Sequence, residues 1–147
     1  MSYFEIGIYA PIHNENIGTL WRSAYQLGAA GIFTIGKLRR NQTSDTAKTR
    51  MEIPFRSYPT WEDFLQHRPI GARIIGVEIG GKSLTTYQHP EQALYLLGSE
   101  ANGLPKHIQE QCDDLISLES VRDASYNVAV TGSIVLYHRF LTNQEAR

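Results

Sequence analysis

Three observations predict an α/β fold with a parallel sheet. Short runs of β-formers recur at Phe4–Ala10, Ile32–Ile35, Arg73–Val77, Ala93–Leu97 and Leu115–Leu118. Helical periodicity fills much of the sequence between them, as it must where each crossover returns the chain to start another parallel strand. The chain also lacks an internal repeat, a low-complexity tract or a linker, so a single domain over residues 1–147 is expected.

The elements follow in order. FEIGIYA (Phe4–Ala10) alternates and reads as a strand, which Pro11 ends. NIGTLWRSAYQLGAAG reads as a helix, with Ile17, Leu20, Trp21, Ala24 and Gly28 on one stripe. At 100° per residue Arg22 falls opposite that stripe and is expected to face solvent or a ligand. The Gly28–Gly31 cluster closes the helix. IFTI is the second strand. A polar stretch, Lys37–Arg50, then sets Lys37, Arg39, Arg40, Lys48 and Arg50 against one acid, Asp45, and reads as a loop. Glu52–Tyr58 reads as a short edge strand interrupted by Pro54. Thr60 caps a helix from Trp61, with acids in its first turn where the dipole favours them. RIIGV is a buried strand, GGKSLTTYQHPEQ a turn-rich connection, and Ala93–Leu97 the next strand. Pro105–Gln111 is a short helix, Leu115–Leu118 a strand, and Tyr126–Leu141 the last helix.

Composition bounds the function. The 147 residues are 41% hydrophobic and 20% charged, which fits a soluble globular protein with a real core. No apolar run reaches the ~18 residues that span a bilayer. The N-terminus carries Glu5 where a secretory signal needs basic residues, so a cytoplasmic protein is expected. Net charge is −1. A nucleic-acid partner would therefore have to be held by a local patch or by an oligomer that concentrates one. The lone Cys112 excludes an internal disulfide and a cysteine-cluster metal site. The five histidines show no metal-ligand spacing, so no metal is expected. The dinucleotide, P-loop, zinc-protease and nucleophile-elbow motifs are all missing.

Ligands on parallel sheets sit beyond the carboxyl ends of the strands. That rim gathers the turns after Ala10, Val77, Leu97 and Leu118. Three constellations lie at or beside it. Asn16, Gly18 and Arg22 open the first helix, and in isolation read as a helix-start asparagine, a packing glycine and a solvated arginine. Gly98-Ser-Glu100-Ala-Asn-Gly103-Leu-Pro105 reads equally as a strand-to-helix turn or as backbone exposed to a ligand. Ser125-Tyr-Asn127 precedes the last helix and suits capping, which explains one of the two polar residues but not obviously both.

Together and in this order the three resemble the SpoU/TrmH branch of the SPOUT RNA methyltransferases. That family's N-x-G-x-x-x-R-x-A stands here as Asn16-Ile-Gly18-Thr-Leu-Trp-Arg22-Ser-Ala24, its G-x-E-x-x-G-L as Gly98–Leu104, and its S-x-N-V as Ser125–Val128. The resemblance covers nearly the whole chain. It implies a parallel sheet flanked by helices with a C-terminal deep trefoil knot, which periodicity alone would not predict. It implies an S-adenosylmethionine site from the loops after Val77, Gly98 and Ile116–Leu118, with Ser125 and Asn127 at the start of the last helix. It implies a homodimer packed through the first and last helices, and methyl transfer to a ribose 2′-hydroxyl of RNA, with tRNA the expected substrate. Catalytic roles would fall to Arg22, near the partner's cofactor, to Asn16 and Asn127, which would position the ribose and Arg22, and to Glu100, which would orient the loops. An rRNA substrate, or a non-catalytic knotted dimer that binds RNA or senses cofactor, are the alternatives. RNA recognition would fall to the Lys37–Arg50 loop, which reads equally as a solvated loop.

The chain departs from the family pattern at its third motif. Ile116-Ser117-Leu118 stands where I-P-M is usual, the loop to Ser125 is a residue longer, Tyr126 replaces leucine, and Val128-Ala129 follows. These bear on the detail of the cofactor loop and substrate pocket.

Overall fold

The computed structural model describes residues 2–38 and 52–145. A six-stranded sheet runs through it in the order β3-β2-β1-β5-β4-β6, with every neighbouring pair parallel. The strands are β1 (Tyr3–Tyr9), β2 (Gly31–Ile35), β3 (Phe55–Tyr58), β4 (Arg73–Ser83), β5 (Gln92–Leu97) and β6 (Asp114–Ser117). The helices are α1 (Asn14–Gln26), α2 (Trp61–His67), α3 (Lys106–Gln109) and α4 (Val128–Glu145). The expected edge strand is present as β3, begun directly after Pro54.

Two cores follow from strand alternation, because successive side chains leave opposite faces. Phe4, Ile6, Ile8, Tyr95 and Leu97 pack with Leu20 and Trp21 of α1 and Val135 and Leu136 of α4 on one face. Phe33, Ile35, Leu94 and Leu96 pack with Trp61 and Phe64 of α2 and Ile108 of α3 on the other. With both faces covered, β2 and β5 need apolar residues at nearly every position. The two long helices meet at Gly132, where a Cβ would lie 2.5 Å from a Leu20 methyl.

One expectation is corrected. β4 does not end at Val77: Gly80, at φ +93, turns the chain, and Gly81 lies so close to β6 that a Cβ would sit 2.7 Å from Ile116 N. The strand then resumes pairing, Lys82 to Ile116 and Ser83 to Ser117, across a register shift. The last helix is apolar nearly all round, yet this chain covers only one side of it. Val128 and Val135 are buried, while Val130, Ile134, Tyr137 and Leu141 stay exposed. Periodicity marks a residue for burial without saying which chain buries it. No helix among the described residues is long and apolar enough to cross a membrane.

Arg139 of α4 is 1% exposed. Its NH1 donates to Pro90 O (2.7 Å) and the Tyr95 hydroxyl (2.9 Å), and its NH2 to Ser2 Oγ (2.7 Å) and Glu91 O (3.0 Å). A guanidinium can only donate. The Tyr95 hydroxyl also pairs with His89 Nδ1 (2.6 Å), and His89 Nε2 with His138 Nδ1 (2.8 Å), the histidine tautomers deciding which atom donates. Burial, then the neighbouring His138 and Arg139, push the His89 pKa down to about 3. The fold thus holds His89 neutral, while the unfolded chain protonates it as pH falls through about 6.5. Stability is complete above that pH and declines below it, towards pH 3. The urea midpoint is expected to fall between pH 7 and pH 5, and His89→Gln to flatten that slope. Equal slopes in the two proteins would show that His89 is not the group responsible.

Candidate functional site

Beyond the carboxyl ends of β1, β5 and β6, and beside the irregular middle of β4 at residues 77–79, lies a cavity of about 1020 Å³. Its apolar wall includes Val77, Leu97, Leu118 and Val128. Most of the remaining wall comes from two turns, residues 98–103 and 120–127.

Glu100 is the hub of the entrance. Its carboxylate accepts from Ile12 N (3.1 Å to each oxygen), His13 N (2.7 Å) and Asn16 Nδ2 (3.0 Å). Those backbone donors converge because Ala10 turns the chain after β1, at φ 49, the one positive φ outside glycine among the described residues. Burial alone would raise the Glu100 pKa. The bonds from His13, Asn16 and Ile12 outweigh burial and leave it lowered.

Asn16 and Asn127 extend the chain of bonds. Asn127 Oδ1 caps α4, accepting from Ala129 N (2.9 Å) and Val130 N (3.1 Å). Its Nδ2 donates to Asn16 Oδ1 (3.0 Å). One orientation of each amide satisfies every partner: the cap fixes Asn127, Asn127 fixes Asn16, and Asn16 presents its NH2 to Glu100. The first helix, the β5 turn and the last helix are locked together by three side chains. Asn127 therefore performs the capping and more, which accounts for its place beside Ser125.

The β5 turn closes on itself through Ser99 N to Gly103 O (3.2 Å) and Gly103 N to Ser99 O (3.0 Å). A Cβ on Gly98 would lie 2.4 Å from Gly103 C, so only glycine fits there. Glu78 braces the turn from β4, accepting from Leu104 N (2.8 Å) and from its own neighbour Ile79 N (3.0 Å). This apolar pocket, with exposed backbone and glycine-tight turns, fits a nucleoside-bearing ligand, whose flat base needs apolar walls and whose edges need backbone donors and acceptors.

Residues 4–137 match the model of the SpoU rRNA Methylase family. The chain belongs to the SpoU rRNA methylase family. An Archaeoglobus fulgidus protein described as an uncharacterized tRNA/rRNA methyltransferase is 23% identical over 132 residues, covering 86% of this chain and 59% of its own length. The mouse tRNA (guanosine(18)-2'-O)-methyltransferase TARBP1 is 29% identical over 139 residues, 83% of this chain and 8% of that protein. This SpoU chain thus spans well under two thirds of these relatives. The SpoU methyltransferase AviRb of Streptomyces viridochromogenes shares the fold, with a TM-score of 0.87 at 20% identity over 99% of this chain and 61% of that one. A structure bearing on 2-OH methylation of C/U34 on tRNA superposes with a TM-score of 0.83 at 23% identity, covering 97% and 98% of the two chains.

Of the residues expected from the SpoU motifs, Asn16, Val77, Gly98, Glu100, Leu118, Ser125 and Asn127 all stand in the cavity wall. Ile116 does not. It is 0% exposed, with its side chain in the core under the sheet, and Ser117 and Leu118 reach the wall in its place. Arg22 is exposed and lies outside this wall, six residues, or about 9 Å along α1, beyond Asn16. Lys37 is exposed, whereas Arg39, Arg40, Lys48 and Arg50 lie outside the described residues. Glu78 and the wall residues from Ser120 to Ala124 fall in the loops expected after Val77 and Leu118, although none of them was singled out individually. The signal for Glu78 was an acid placed directly after the buried run RIIGV, at the functional rim.

Proposed function

We propose that this chain is an S-adenosylmethionine-dependent RNA methyltransferase that methylates a ribose 2′-hydroxyl of tRNA and works in the cytoplasm as a homodimer. The observation that carries the reading is the cavity at the carboxyl rim, with Asn16, Glu100 and Asn127 hydrogen-bonded into one array at its entrance. The 2′-hydroxyl and tRNA assignments draw support from the tRNA 2'-O activity named for the mouse relative and from the tRNA methylation named for the structure of matching length.

When bound, the cofactor supplies a sulfonium-activated methyl group. Val77, Leu97 and Leu118 would give its site an apolar wall that excludes water, and the 98–103 and 120–127 turns would offer polar groups to it. Asn16 and Asn127 hold the ribose in line with the methyl. A guanidinium holds its proton too firmly to serve as a general base, so Arg22 is given a different role. It anchors phosphate and ribose and offsets negative charge developing on the hydroxyl oxygen.

The dimer draws support from α4. Val130, Ile134, Tyr137 and Leu141 form an uncovered apolar stripe beside Leu84 and Leu118, along a groove of about 560 Å³. Apolar patches of this kind are characteristic of interfaces, and a two-fold axis lets one stripe cover its copy. Arg22 would then reach the cavity of the second copy.

Incubation with methyl-labelled S-adenosylmethionine and total RNA tests the reading. Label is expected in the tRNA fraction and, after digestion to nucleosides, on a 2′-O-methyl nucleoside. Label on rRNA would overturn the substrate and label on a base the position. Bound cofactor with no labelled RNA would favour a non-catalytic binding dimer.

A further inference from the structure

The loop from Glu119 to Tyr126, a residue longer than the family pattern, is braced from within. The Tyr126 hydroxyl donates to Glu119 O (2.5 Å) and closes its base. The Ser120 hydroxyl (2.5 Å) and Ala124 N (3.0 Å) both donate to Arg122 O, which fixes the backbone at the tip. Ser83, on the resumed part of β4, donates its hydroxyl to the Glu119 carboxylate. The replacement of leucine by Tyr126 and the added residue thus belong together, since the phenol is what closes the longer loop.

What this loop presents is Arg122. It is exposed and lines the cavity, and its guanidinium has no hydrogen-bond or ion-pair partner among the described residues. The other charged side chains in the cavity wall are Glu78, Glu100 and Asp123. Glu78 and Glu100 accept from backbone N–H groups and are occupied. Among the described residues of this wall, a polyanion therefore meets three carboxylates and one cation without a partner, Arg122, on a loop already fixed in place. An arginine so placed offers a planar fork matched to two anionic oxygens, and its binding sacrifices no existing partner. Two anions could meet it: an RNA phosphodiester or the carboxylate of the cofactor. Its place on the outer loop favours the first, because its neighbour Val121 is 96% exposed and stands in solvent, whereas Leu97 in the apolar part of the cavity wall is 1% exposed.

We propose that Arg122 binds a backbone phosphodiester of the RNA substrate, from the same chain that holds the cofactor. This rests on the methyltransferase reading above, and its test uses binding so that the two can fail separately. The full chain and Arg122→Gln are compared for equilibrium affinity towards bulk tRNA across a salt series, and for S-adenosylmethionine affinity by calorimetry. The variant is expected to bind tRNA about tenfold more weakly, with a salt slope shallower by about 1. Its cofactor affinity should be unchanged, and Arg122→Lys should restore the slope. Weaker cofactor binding with unchanged tRNA affinity would overturn the proposal in favour of the carboxylate. Unchanged affinity for both, or a wild-type protein that does not hold tRNA, would also overturn it. A wild-type protein that binds tRNA without methylating it sinks the catalytic reading and leaves Arg122 to be judged on binding alone.

Discussion

Glu100→Ala is expected to lower stability at pH 7 by about 3 kcal/mol and to weaken cofactor binding together with it. The size follows from what the carboxylate holds. Ile12 N, His13 N and Asn16 Nδ2 all donate to it, and alanine offers none of them an acceptor. Each orphaned donor costs about 1–3 kcal/mol when buried, and less here because water reaches the entrance. The loss also spreads. Without Glu100 the 10–13 turn, beside the positive φ of Ala10, loses the acceptor for both Ile12 N and His13 N, and Asn16 loses one of the two partners that orient it. Glu100→Gln keeps the shape but turns one acceptor into a donor, so an intermediate loss is expected. The pH dependence has a definite sign. A carboxyl whose folded pKa is lowered contributes stability that is present above its unfolded value and lost as pH falls through the folded one. Urea denaturation should therefore separate wild type from Glu100→Ala at neutral pH and bring them together in acid. Equal stability at pH 7 would show that the hydrogen bonds to Glu100 contribute nothing net.

The same residues show how far the sequence could be read. Strand β1 was legible by its alternation, and β2 and β5 because a parallel sheet covered on both faces demands apolar residues at nearly every position. The second half of β4 was not, because Gly80 and Gly81 resemble a turn. Here they make a bulge, and what restores the pairing is a strand far along the chain, not a local preference. Asn16, Glu100 and Asn127 could be picked out by spacing, since each sits at the edge of an apolar run. Their bonds to one another could not, because these span 84 and 111 residues. Glu78 and Arg122 carried no motif, and became visible only once β4, β5 and the 119–126 loop were seen to share a wall. For α4 the apolar pattern was legible on every side, but the pattern does not distinguish a face covered by this chain from one left for another.

Arg22→Ala is expected to keep S-adenosylmethionine affinity and to lose methyl transfer by about 100-fold or more, the usual scale for removing a group that stabilises developing charge. Arg22 stands exposed on α1 and outside this chain's cavity wall, so its removal leaves the pocket intact. Where it acts can be decided by mixing. Gly98→Ala should abolish cofactor binding, since its Cβ would press on Gly103 backbone and the turn could not close. Neither variant is active alone. If Arg22 serves the partner's cavity, a hybrid of the two holds one complete site, made from the intact pocket of the Arg22→Ala chain and the arginine of the Gly98→Ala chain. Random exchange of equal amounts makes half the dimers hybrid, each with one working site of two, so activity should return to about a quarter of wild type. If Arg22 served its own chain's cavity, the hybrid would pair a pocket lacking its arginine with an arginine lacking its pocket. Mixing would then recover nothing, and the assignment across the dimer would fail even if each single variant behaved as expected.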